Sequence, residues 1–104
     1  YFDAEFDNGD SSDADTISWK VGNKQKSTLT DDCTFTFTAP SGACNLILRL
    51  IQDATANWDV TWPVAVKWLG DEPTWTDGEA TKSIIVSFYF DGTNYWGQGT
   101  PWEV

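Results

Sequence analysis

The side chains in this sequence that remain plausible as acid–base catalysts or metal ligands are mostly carboxylates. Sixteen Asp and Glu stand beside no histidine and two cysteines, Cys33 and Cys44. Without imidazole, serine triads, the usual zinc sites and most acid–base catalysis near neutral pH lose their commonest residue. A pair for glycoside hydrolysis could be drawn from Asp59, Asp71, Glu72, Asp77 and Glu79. With so many acids some pair is inevitable, and a chain this short rarely builds the deep cleft such chemistry needs, so the expectation is that the protein is not an enzyme. Calcium is the other chemistry open to carboxylates. Asp3, Glu5 and Asp7 are suitably spaced, but Asn8 stands where an EF-hand loop needs glycine, and Ala14 is no ligand. No metal and no cofactor is expected.

The tryptophans are the second set of side chains with something to do. There are seven in 104 residues, and tryptophan both fills small β cores and grips sugars or partner surfaces. Trp19, Trp62 and Trp68 alternate with other apolar residues and are expected in the core. Trp58 shares the parity of Val60 and Trp62 but follows a polar loop, so either role fits it. Trp75 stands alone between two threonines, and Trp96 and Trp102 lie in the glycine-rich tail WGQGTPWEV. These have no periodic partner, and with Asp71, Asp77 and Glu79 nearby they are candidates for glycan or partner binding. The competing expectation is that they cover an open end of the core or pack on an identical subunit.

The elements that must hold these residues are strands. From Thr16 onward the hydrophobic period is two rather than 3.6. TISWKV places Ile17, Trp19 and Val21 on one face, and CTFTFT does the same with Cys33, Phe35 and Phe37. NLILRLIQ is apolar on both faces, Leu46, Leu48 and Leu50 against Ile47 and Ile51, as expected of a central, fully covered strand, though that run alone would also suit a helix. NWDVTWPVAVKW alternates through Trp58, Val60 and Trp62, breaks at Pro63, and resumes with Val64, Val66 and Trp68. SIIVSFYF sets Ile84, Val86, Phe88 and Phe90 on one face, and Asp91-Gly92 is the strongest hairpin signal. The expected fold is all-β, an antiparallel sandwich or small barrel of about seven to nine short strands with no substantial helix. It forms a single domain over residues 16–104. Residues 1–15, with six acids and no base, are expected to be a solvated acidic arm that docks Tyr1, Phe2 and Phe6.

Both cysteines share parity with their strands' apolar residues and should face the core. A hairpin about Pro40 and Ser41 would leave them about four residues apart along the sheet, roughly 13 Å at about 3.3 Å per residue. That exceeds the about 7 Å reach of a disulfide, and two free thiols are expected. The net charge of −10 and a pI near 4.1 repel phosphate backbones and anionic lipid surfaces, so no nucleic acid partner is expected. No apolar run is long enough to span a bilayer and no signal-peptide pattern is present, so membrane insertion is not expected. The chain opens on Tyr1 rather than methionine, as expected either of a fragment cut from something longer or of only the ordered part of a protein.

Taken together, FDNGDSSDADTISW, GNKQKSTLT, CTFTFTAPSGAC, LRLIQDAT, VTWPVAVKW and SFYFDGTNYW resemble a module of phage tail fibres and related virion structural proteins. The resemblance runs from Phe6 to Trp96, and its most specific pieces are VTWPxxVKW and FDGTNYW in that order. It implies a virion location, an all-β module, a homo-oligomer (often a trimer) in contact with other virion proteins, and no catalytic residues. Two loops depart from the pattern. Ala56-Asn57-Trp58 stands where a glycine-containing turn is usual, and DEPTWTDGE, with Trp75 at a position more often a smaller aliphatic, replaces a blander loop. A module that varies its binding surface would differ there, which again points to Trp58 and Trp75 and to a host-surface glycan. A capsid decoration protein and a free carbohydrate-binding module are the alternatives.

Overall fold

The alternating segments become strands throughout residues 4–104, the part described by the structure, a computed structural model. In chain order these are β1 (Phe6–Asp10), β2 (Ala14–Ser18), β3 (Lys24–Leu29), β4 (Cys33–Thr38), β5 (Cys44–Gln52), β6 (Val60–Thr61), β7 (Val66–Trp68), β8 (Ser83–Phe90) and β9 (Tyr95–Gly99), with a single 3-10 turn at Trp75–Asp77. The fold is all-β with no substantial helix. Among the described residues no helix is long and apolar enough to cross a membrane.

The strands form two sheets. The larger has six strands in the order β1-β3-β5-β8-β9-β7, the smaller three in the order β2-β4-β6. Pairing corrects the antiparallel expectation. Only β5 with β8 and β8 with β9 are antiparallel, while β1 with β3, β3 with β5, β2 with β4, β4 with β6 and β7 with β9 are parallel. The cause is the route of the chain. From β1 to β6 each strand crosses to the opposite sheet, so the next strand in the same sheet runs the same way one position along.

That route also removes the hairpin expected about Pro40 and Ser41. Cys33 lies on β4 opposite Val60 in the small sheet, and Cys44 lies on β5 opposite Phe90 in the large one. Both thiols are free, Cys33 buried and Cys44 half-buried against the core. The expected state of the thiols therefore holds for a different geometric reason. The acidic arm is likewise corrected: β1 pairs with β3, β2 pairs with β4, and the Glu5 carboxylate accepts two hydrogen bonds from the Arg49 guanidinium at 3.0 and 3.1 Å. Phe6 is exposed rather than docked. The expected docking of Tyr1 and Phe2 lies outside the described residues.

Parity fills the core much as the sequence implies. Trp19, Phe35, Leu46, Leu48, Leu50, Val60, Val66, Ile84, Val86, Phe88 and Phe90 are buried, and Phe37, Trp62 and Trp68 pack half-buried against them. Val21 and Val64 leave the pattern because each falls in a connection beyond its strand, and Val64 is 91% exposed. The second face of β5 is not covered: Ile47 and Ile51 are only half-buried, with Asn45 and Arg49 between and beside them. Two buried glutamines close the layers. Gln25 donates to the carbonyls of Ser18 and Gly22, both at 2.8 Å, and accepts from Asn8 at 2.8 Å. Gln52 donates to the carbonyls of Trp58 and Trp75 and accepts from the Trp58 amide. Each amide thus uses both its donors and one of its two acceptor lone pairs inside the protein, as burial requires.

Burial pushes the Cys33 thiol above its ordinary value, against a hydrogen bond with Ser11 that lowers it. The thiol is therefore protonated and poorly nucleophilic at neutral pH. Thiol titration under denaturing, non-reducing conditions is expected to count two groups, with Cys33 reacting slowly in the native protein. A count of zero would contradict this arrangement.

Candidate functional site

Trp75 was the foremost gripping candidate, and the structure corrects it. The ring is 3% exposed and packs on Trp62 and Trp68 with centroids 5.1 and 5.6 Å away. Its indole N–H donates to Glu72 at 2.7 Å. A 3-10 turn has no period for a sequence pattern to catch, and this one folds its tryptophan inward.

The other expected residues separate into three places. Asp71, Asp77 and Trp102 come together with Glu72, Pro73 and Thr74 around an open groove of about 330 Å³. Trp102 is fixed there by its indole donating to the Thr74 carbonyl at 3.0 Å, and it lies so close over Gly78 that a Cβ at that glycine would sit 2.8 Å from the ring. Glu79 is exposed outside this groove. Trp58 is half-buried in the loop after β5, and Asn57 beside it donates to the Thr76 carbonyl at 3.2 Å. The two loops that depart from the fibre pattern therefore touch, although only one of their tryptophans reaches the surface. Trp96 is on β9, where Tyr95 and Gly97 face inward and Trp96 faces out. Its neighbours Gly97 and Gly99 are glycines because Phe88 and Trp68, and then Pro73, occupy the space a Cβ would need.

A repeat not anticipated from the sequence holds both Trp58 and Trp96. Asp53-Ala54-Thr55-Ala56-Asn57-Trp58 and Asp91-Gly92-Thr93-Asn94-Tyr95-Trp96 share the pattern Asp-x-Thr-x-x-Trp. In each, one aspartate oxygen accepts the backbone amides two and three residues on, at 2.8 to 3.0 Å. The same carboxylate accepts the tryptophan indole N–H at 2.9 Å. Positive φ at Ala56, Asn57 and Gly92 makes the turns tight enough for this return. The result is a surface indole with its polar edge satisfied and its ring held in place. The repeated spacing was the signal that could have found it.

The Trp96 turn adds a residue not among those expected at a site from the sequence. Tyr89 lies directly opposite Trp96 in the β8–β9 register and is 49% exposed, with Trp96 at 36%. The signal was parity: if Phe88 and Phe90 point inward, Tyr89 cannot. Comparison with protein-family models, with curated proteins and with solved structures finds no match for the chain.

Two outcomes follow from these positions. Trp75→Ala is expected to destabilise the fold by about 3 to 5 kcal/mol in denaturant unfolding, the cost of emptying a buried aromatic site. Trp96→Ala should cost far less, about 1 kcal/mol, the scale of one cross-strand aromatic pair and one hydrogen bond at the surface. The Trp96 indole bond, followed by those from the Asn94 and Thr93 amides, holds the Asp91 carboxyl below its ordinary value of 3.8. A depressed carboxyl stabilises the turn above the unfolded value and ceases to do so as pH falls through the depressed one. The NMR signal of the Trp96 indole proton is therefore expected to shift only below about pH 3.8, and Asp91→Asn should abolish that titration.

Proposed function

We propose that the chain is a structural module of a phage fibre or tail tip that assembles as a homo-oligomer and presents a surface to host glycans. The observation that carries the reading is where the resembling motifs meet. VTWPxxVKW supplies Val60, Trp62, Val66 and Trp68, and FDGTNYW supplies Phe90 and Tyr95. Trp62 and Trp68 pack at 5.6 Å and Phe90 and Tyr95 at 4.6 Å, and both groups reach Phe88 or its strand. The large apolar residues of these shared motifs other than Trp96 are thus spent on an internal frame, while the departing loops add Trp75 to it and expose Asp71, Glu72, Asp77 and Glu79. Such a division suits a reused scaffold with a variable exterior.

A second observation bears on the capsid alternative. A decoration protein would need residues 1–15 to take up structure only on a capsid lattice. Residues Phe6–Asp10 and Ala14–Ser18 instead pair within the chain's own sheets, which favours the fibre reading. A free carbohydrate-binding module remains the second reading, favoured by the exposed Tyr89 and Trp96 rings. Light scattering is expected to give the mass of three protomers, and a monomer at all accessible concentrations would refute the fibre reading.

A further inference from the structure

On the outer face of the large sheet, β5, β8 and β9 line up two rows of side chains. Asn45, Tyr89 and Trp96 oppose one another in the first row, and Ile47, Ser87 and Gln98 in the second. Residues two apart on a strand share a face, so both rows lie on the same side. With Leu69, which follows β7, they line an open groove of about 400 Å³, within the usual range for a small-molecule site. The chain has 16 acids and 6 bases; none of them lines the groove itself, and the nearest by register, Lys67 opposite Trp96 and Lys24 opposite Ile47, stand at the ends of the two rows.

We infer that this groove binds a neutral saccharide, with the rings of Tyr89 and Trp96 as its stacking platform. An aromatic ring carries negative potential on its face, and the C–H bonds on one side of a pyranose present weak positive charge to it. The Asn45 and Gln98 amides and the Ser87 hydroxyl offer both donors and acceptors, matching sugar hydroxyls, which also do both. The Asp91 bond to the indole fixes the Trp96 ring before a ligand arrives, so little rotamer freedom is lost on binding. This moves the glycan contact from Trp58 and Trp75 to the opposite side of the β8–β9 hairpin core. It deepens the proposed function by naming what a host-facing module would hold, and rests on that function only for the source of the sugar.

The test is a printed array of neutral hexose oligosaccharides and sialylated ones, probed with the whole chain and with Trp96→Ala, Tyr89→Ala and Trp102→Ala, each checked by thermal melting. Positive neutral spots are then titrated. The unmodified protein is expected to bind neutral saccharides. Trp96→Ala and Tyr89→Ala should each weaken binding about tenfold or more, the scale of one lost stacking contact, and Trp102→Ala should bind normally. The inference is overturned if only sialylated sugars or none are bound, or if folded Trp96→Ala and Tyr89→Ala both bind as well as the parent. It is also overturned if Trp96→Ala dissociates the oligomer, since the groove would then be a contact between copies. A monomer that binds through Trp96 would refute the fibre assignment and leave the saccharide site standing, whereas a trimer that binds no sugar would do the reverse.

Discussion

Three strands cannot cover six, and most of the unusual composition follows from that mismatch. The small sheet, β2-β4-β6, faces only part of the large one. Where strands run out, aromatic rings take over. Trp62, just past β6, meets Phe35, Phe37, Trp68, Trp75 and Phe88 with centroids 5.1 to 6.0 Å apart. A single tryptophan there does the work of a missing strand, and Trp68 and Trp75 extend the cover. Large side chains are the economical way to do this in a chain of about 100 residues, where the buried fraction of surface is limited.

Covering a sheet with loops carries its own cost, because loop backbone brings polar groups to the core margin. Gln52 meets that cost at the end of β5, tying the Trp58 and Trp75 carbonyls to one amide. Gln25 does the same between β1, β2 and the turn before β3. Asp53 and Asp91 act further out, each closing a tight turn and holding a tryptophan with the same carboxylate. Position thus passes outward from aromatic core to amide to acid, and the surface rings are only as well placed as the layers beneath them.

Much of the burial was legible in the sequence, because period two records which face of a strand meets the core. Ile17 and Trp19, Cys33 and Phe35, the leucines of β5 and the apolar face of β8 all lie where parity assigns them. Strand direction was not legible. A half-buried strand alternates in the same way whether its neighbour is parallel or antiparallel, and the crossing between sheets leaves no mark in Ala39-Pro40-Ser41-Gly42, which would serve a hairpin equally well. The candidate site was legible only at its margins. Trp96 was singled out for lacking a partner, yet its partner was Tyr89 across the Asp91 turn. Trp75 was singled out for the same reason and proved to be core, since isolation in sequence says nothing about which way a lone turn points its ring.

The crossing of the chain between sheets has a temporal side as well. Of all the consecutive strands among the described residues, only β8 and β9 pair with each other. Each earlier strand except β6, which pairs only with the preceding β4, must wait for a partner that comes at least two strands later in the chain. Pairing over such separations carries the loop-closure entropy that slows folding. During synthesis from the N-terminus, the one hairpin among these strands able to form locally is the last of them to emerge. It is also the piece that carries Tyr89 and Trp96, so the segment that completes the large sheet delivers its outer aromatic face in the same step.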